Sequence, residues 1–316
     1  SSKKNSEKAT AKAKCTVNKN ITLYAVQKKA VQLTFHRCDG STWQKTTLAK
    51  GSSYSLPGVR DAEGYTFMGW STKPMQSVSP QYEAEEKITV NGNVDLYAVV
   101  FNRTTETDLT EDQLPQVDIY KYKQVIFVGD SRTEFMENVL TGMGESATKN
   151  VKFVCSAGKG LDWFTTTGWA QLYSIVQHDS NSILSKKTAV IFNFGVNDLS
   201  KSADYAEYYN WIAPQLKSKG CELYFMSVNP VNRLMLPNAG RADRSEAAVR
   251  SFNQYMKVNL SSAYTYIDMY SYLKSTGYSF ASDHYGTGTV DDGLHYTTRT
   301  YKRIFAKCMD SLRVPA

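Results

Sequence analysis

Residues 123–132 read Lys123-Gln-Val-Ile-Phe-Val-Gly-Asp-Ser-Arg132. A short apolar run rich in β-formers ends in a Gly-Asp-Ser turn, and a helical stretch follows over about 132–141. The pattern recurs downstream. Val151-Lys-Phe-Val-Cys155, Thr188-Ala-Val-Ile-Phe-Asn193, Glu222-Leu-Tyr-Phe-Met-Ser227 and Thr265-Tyr-Ile-Asp268 are runs of the same kind. Helical stretches at about 162–178, 202–218, 244–258 and 296–312 separate or follow them. Strand and helix alternating five times predict a parallel, doubly wound α/β sheet. In such sheets ligands bind beyond the carboxyl ends of the strands, so chemistry is sought there.

The first run ends at Ser131, where a hydroxyl projects from the carboxyl edge beside helix N-terminal amides able to stabilise an oxyanion. An ordinary helix-capping serine reads the same way. The second ends in Ser156-Ala-Gly-Lys-Gly160, whose glycines permit either a turn or the close approach of a backbone N–H to a ligand. The third ends in Asn193-Phe-Gly-Val-Asn-Asp198, where Asn197 either donates to a developing oxyanion or belongs to a capping turn. The last element begins Asp291-Asp-Gly-Leu-His295. Of the four histidines only His295 has an Asp three residues before it; His36, His178 and His284 do not. A serine nucleophile needs a base, and the base needs an acceptor that fixes its tautomer.

In this order the four motifs resemble the SGNH (GDSL-type) hydrolase family over about 123–316. Gly129-Asp130-Ser131 is similar to its first block, and Gly158 to the second-block glycine, with Gly160 as the fallback. Gly195-Val196-Asn197-Asp198 is similar to the third, and Asp292-Gly293-Leu294-His295 to the last. The resemblance implies a flavodoxin-like three-layer α/β/α fold and an ester-cleaving site without metal or cofactor. Its catalytic residues would be Ser131, His295 and Asp292, with an oxyanion hole from Ser131, Gly158 and Asn197. The family's usual Leu after the serine is Arg132 here. That arginine either contacts an anionic or hydroxyl-rich substrate or pairs with Asp130 or a helix neighbour.

Upstream, the chain repeats itself. Cys15-Thr-Val-Asn-Lys-Asn-Ile-Thr-Leu-Tyr-Ala-Val26 and Ile88-Thr-Val-Asn-Gly-Asn-Val-Asp-Leu-Tyr-Ala-Val99 are identical at eight of twelve positions. The first copy reads as the last strand of an earlier repeat, and about 31–102 as a complete unit. Val31-Gln-Leu-Thr-Phe35 and Tyr65-Thr-Phe67 alternate as half-buried strands do, between turn formers such as Asp39-Gly40 and Asn91-Gly92. Glu63-Gly-Tyr-Thr-Phe-Met-Gly-Trp-Ser-Thr72 ahead of Leu96-Tyr97-Ala98 resembles the internalin-type B-repeat (Listeria-Bacteroides repeat). That resemblance implies a small β-rich spacer or adhesive module with a cell-surface or cell-wall ligand, on an extracellular or cell-surface bacterial protein. Residues 103–122, polar and acidic with Pro115, read as a linker.

The formal charge of +7 suggests nucleic acid until it is divided by segment. Residues 1–30 hold eight lysines against Glu7; the other 29 basic and 29 acidic residues cancel, so no nucleic-acid partner is expected. The start Ser1-Ser2-Lys3-Lys4 reads as a trimmed or mature fragment that has lost any export signal. No stretch approaches the roughly 20 apolar residues of a transmembrane helix. Five scattered cysteines without a C-x-x-C pair predict neither a metal site nor a disulfide framework, and Cys155 and Cys221 read as small core residues. Trp163, Trp169 and Trp211 are candidate sugar platforms, although aromatics more often fill a core. The expected activity is hydrolysis of acyl, foremost O-acetyl, esters on cell-wall or other carbohydrate. An O-acyltransferase, a lipase or thioesterase, and an adhesin with an inactive hydrolase domain are the rivals.

Overall fold

The computed structural model describes residues 28–118, 121–179, 187–285 and 288–312. Residues 15–27, read above as the end of an earlier repeat, lie outside the described residues.

The amino-terminal module is β-structure: β1 Ala30–His36, β2 Thr42–Ala49, β3 Ser52–Ser55, β4 Tyr65–Ser71, β5 Lys87–Val90 and β6 Val94–Asn102. β2-β1-β6-β4 form one sheet in which only β1 and β6 run parallel, and β3 pairs with β5. Val31, Leu33 and Phe35 alternate into a small core around Trp70, whose indole N–H donates to the Pro57 carbonyl at 2.8 Å.

Residues 103–118 are not a free spacer. Glu106 is buried, accepting from Ser279 Oγ at 2.5 Å and pairing with Arg303 at 3.0 Å; Leu114 and Val117 are buried as well. Glu106 can be buried in so acidic a segment because it finds its arginine on the last helix.

The larger unit comprises β7 Tyr122–Gly129, α1 Ser131–Met143, β8 Val151–Cys155, α2 Leu161–Trp163 and α3 Trp169–Asp179, the last two joined by a π-helical turn, Phe164–Gly168. Then come β9 Lys187–Asn193, α4 Ser202–Ser218, β10 Cys221–Met226, α5 Glu246–Asn259, β11 Tyr264–Ile267, α6 Met269–Thr276, β12 Phe280–Tyr285, β13 Gly288–Tyr296 and α7 Thr298–Ser311. The sheet order β8-β7-β9-β10-β11, parallel throughout, is the flavodoxin-like arrangement. Its strands feed two cores. Ile126, Val128, Val190, Phe192, Leu223 and Phe225 face α3, α4 and α5. Val125, Phe127, Ala189, Ile191, Tyr224 and Met226 face α1, α6 and α7. Burial on both faces is why these runs are continuously apolar rather than alternating. Each fully buried side chain of this size contributes about 1.5–3 kcal/mol.

The second core also takes in Met68, Val99 and Phe101 of the repeat module, so the two units share apolar packing. Three features differ from expectation. The last helix starts at Thr298, capped by Thr297, and His295 stands on β13 of an antiparallel β12–β13 hairpin. α6, capped by Asp268, follows a strand of only four residues. Cys221 is buried, but Cys155 is only part-buried, its thiol donating to Glu137 at 3.3 Å.

Candidate active site

β7 delivers the chain to the carboxyl edge, and Asp130 turns it into α1 by accepting from the Arg132 amide at 3.0 Å. Burial pushes the Asp130 carboxyl up to about 6, against the pull of Arg132. Ser131 is the first residue of the helix, and its hydroxyl lies 2.9 Å from His295 Nε2. His295 Nδ1 lies 2.5 Å from Asp292 Oδ2. The other carboxylate oxygen accepts from the amides of Leu294 at 2.8 Å and His295 at 2.7 Å. Burial alone would raise the Asp292 carboxyl. The His295 hydrogen bond and charge, with the two amides, hold it below its ordinary value. An ionised acceptor at Nδ1 keeps the proton there and leaves Nε2 free to accept from the serine.

Phe135, one turn after Ser131 on α1, covers the imidazole at a centroid distance of 4.6 Å and is itself 43% exposed. It shields the ring that reaches the hydroxyl. The i, i+4 spacing from the serine was visible in the sequence, though nothing marked Phe135 out from a core aromatic.

The loop after β8 is pinned from two sides. Glu134 of α1 accepts from the Ala157 amide at 2.6 Å, and Asn197 Nδ2 donates to the Lys159 carbonyl at 2.8 Å. Gly158 sits between these anchors at φ +70°, and a Cβ there would meet nothing within 4 Å. Gly160 has a different reason to be glycine: a Cβ would fall 2.3 Å from the Asp198 carboxylate. Asp198 itself accepts from the Leu161 amide and the Tyr205 hydroxyl, anchoring α2 and α4.

Asn197 is oriented by Arg244, a residue that no sequence pattern singled out. Its guanidinium donates to Asn197 Oδ1 at 2.8 Å, to the Val196 carbonyl at 2.7 Å and to the Ala242 carbonyl at 2.9 Å. Arg241, from the same loop, lies 3.5 Å from Asp292 Oδ2. Asn197 and Arg244 line an open cavity of about 420 Å³ together with Asp198, Leu199, Arg233 and Ser245.

Arg132 does not reach solvent, and among the described residues its side chain pairs with no carboxylate. It is buried, donating from Nε to Leu294 and from its two terminal nitrogens to the carbonyls of Asn229 and Pro230, at 2.9–3.0 Å, over the Tyr296 ring. It ties α1, which carries Ser131, to β13, which carries His295. Arg132→Met should therefore cost about 3 kcal/mol of stability by taking a charged donor from three carbonyls, of which Pro230 alone keeps the Tyr296 hydroxyl. The ratio of rates on charged and neutral esters should stay unchanged. Thermal melts and paired kinetics check both. The tryptophans do not form a platform here. Trp163 and Trp169 pack against the core, and exposed Trp211 sits in mid-α4, about 13 Å along the helix from its start at 1.5 Å per residue.

Residues 32–99 match the Listeria-Bacteroides repeat domain. No curated protein matches the chain. Solved structures similar to it include the acetyl xylan esterase AlAXEase, 11% identical over 60% of this chain and 100% of that one, with a TM-score of 0.39. A protein of Slackia heliotrinireducens described as an SGNH hydrolase is 13% identical over 61% and 100%, TM-score 0.42. The C-terminal catalytic domain of Streptococcus pneumoniae peptidoglycan O-acetyltransferase A is 15% identical over 60% and 92%, TM-score 0.35.

Proposed function

We propose that the protein is a serine esterase that cleaves acyl esters, foremost O-acetyl groups on cell-wall or other carbohydrate outside the cell. The observation that carries the chemistry is the unbroken relay from Ser131 Oγ through His295 to Asp292 at 2.9 and 2.5 Å. Ser131 attacks the ester carbonyl while His295 Nε2 takes its proton; the imidazolium is stabilised by Asp292. The proton then goes to the departing alcohol, leaving an acyl-serine. Water attacks that ester with His295 again as base, releasing the acid and restoring the hydroxyl.

The oxyanion is assigned to the backbone N–H groups of Ser131 and Gly158 and to Asn197 Nδ2. Asn197 can serve because its hydrogen bonds are divided. Oδ1 is occupied by Arg244 and one Nδ2 proton by Lys159, so the second Nδ2 proton remains to donate. Asn197→Ala should lower kcat about 10²–10³-fold with little change in KM. Arg244→Ala, which frees the amide to rotate, should lower it less and add nothing in the Asn197→Ala background. Steady-state kinetics on an activated acetate ester decide both.

The extracellular carbohydrate substrate rests on the company the site keeps: a Listeria-Bacteroides repeat, a module of bacterial surface and secreted proteins. Acetate release from a panel of acetylated glycans and peptidoglycan tests it, with and without a sugar acceptor to show whether water takes the acyl group. Release from simple esters alone overturns the carbohydrate assignment.

A further inference from the structure

We propose that the repeat module is a positioning element of the catalytic unit: its Asp61, with Arg103 of the segment that directly follows β6, holds the two chain neighbours of Asp292 and so keeps that carboxylate on His295. The inference rests on the esterase reading above.

Asp292 lies between Asp291 and Gly293, and each is gripped separately. On one side Arg103 Nη1 pairs with Asp291 Oδ2 at 2.6 Å, while the other Asp291 oxygen accepts from Ser282 at 3.0 Å. On the other side the Asn232 amide donates to the Gly293 carbonyl at 2.9 Å. Gly293 is at φ +67°, and a Cβ there would lie 2.6 Å from the Asn232 carbonyl, so the two backbones are in close contact.

Both arms lead to one residue of the module. The Asp61 carboxylate is fully buried. Its Oδ2 accepts from Arg103 Nη2 at 2.7 Å, and its Oδ1 from Asn232 Nδ2 at 2.8 Å and from the Phe67 amide at 2.9 Å. Arg103 is fixed further by Thr66 at 2.9 Å, and Asn232 by the Val59 carbonyl at 3.1 Å. A spacer would need none of this. A buried carboxylate costs stability unless it is fully bonded, and here its bonds run to the turn that carries Asp292. That turn presents both a side-chain oxygen and two amides at hydrogen-bond distance, and displacement of such a group by about 1 Å can cost 10²-fold in rate.

The cleanest variant is Asp291→Ala, which cuts one arm from the hydrolase side and leaves Asp61 paired with Arg103. It should lower kcat about tenfold on an activated acetate ester with KM unchanged. Arg103→Gln cuts the same arm, so the double variant should be no worse than the worse single one. Asn232→Ala keeps the backbone N–H that holds Gly293 but frees it from Asp61 and Val59, and should deepen the loss. Asp95→Ala, which breaks a module hydrogen bond with His36 away from the clamp, should leave kcat unchanged. An activity-independent readout is the low-field proton resonance of His295 Nδ1–H. It should weaken or shift in Asp291→Ala and persist in Asp95→Ala. Full kcat and an unchanged resonance in folded Asp291→Ala overturn the proposal, as does an equal loss in Asp95→Ala. If no ester is hydrolysed but the resonance responds as stated, the clamp stands and the esterase reading fails.

Discussion

Ser131→Ala is expected to lower kcat on an activated acetate ester by about 10⁴–10⁶-fold, to whatever binding and the oxyanion donors supply alone. The reason is geometric. Ser131 is buried at the start of α1, and its hydroxyl is within hydrogen-bond reach of His295 Nε2. Removing one oxygen there changes no helix cap, because Asp130 supplies it, and cuts no bond of Arg132. Stability should move by less than about 1 kcal/mol. A serine-directed fluorophosphonate should label the parent protein once and the variant not at all. A variant that hydrolyses the ester at the parent rate places the nucleophile elsewhere, and labelling without turnover in the parent favours an inactive domain on an adhesin.

The sheet was legible because strands buried on both faces must be nearly continuously apolar, and three of them stand out at 122–129, 187–193 and 221–226, with the shorter edge runs 151–155 and 264–267 rich in β-formers beside them. Self-similarity announced the repeat. Ser131, Asp292 and His295 could be picked out because nucleophilic chemistry demands a base and an acceptor at short range, and only one histidine offers both. The structure brings those three within hydrogen-bond reach.

What was illegible lies in contacts between distant segments. Arg132 read as a substrate contact or as a partner of Asp130 or a helix neighbour; carbonyls of β13 and of the loop at Asn229-Pro230 make it a buried tie. Arg244 lies on an irregular loop with no period to mark it, yet it sets the Asn197 amide. The β12–β13 hairpin carries Asp291, Asp292 and His295 in a stretch whose Gly and Asp content looked like a loop before a helix. Residues 103–118 carried the composition of a linker, and composition cannot show that Glu106 meets Arg303 or that Arg103 meets Asp291.

Asp292→Asn is expected to lower kcat by about 10⁴-fold with KM nearly unmoved. The substitution preserves shape, and the amide oxygen can still accept from the Leu294 and His295 backbone N–H groups. The amide NH₂, however, then faces His295 Nδ1. That nitrogen must become an acceptor, the ring proton moves to Nε2, and Ser131 loses its base. The same change has a stability signature whose sign is fixed by the carboxyl's depressed pKa. A carboxylate held lower in the folded than in the unfolded chain contributes stability above its unfolded value of about 3.9 and loses it as pH falls through the folded value. The parent should therefore melt above the variant near neutral pH, and the gap should close as pH falls below about 4. Melts at several pH values and kinetics at neutral pH separate the two effects. A variant that keeps a tenth of the parent kcat shows that His295 does not depend on Asp292 for its tautomer, and a gap that does not close in acid shows that the carboxylate is not stabilised in the folded chain.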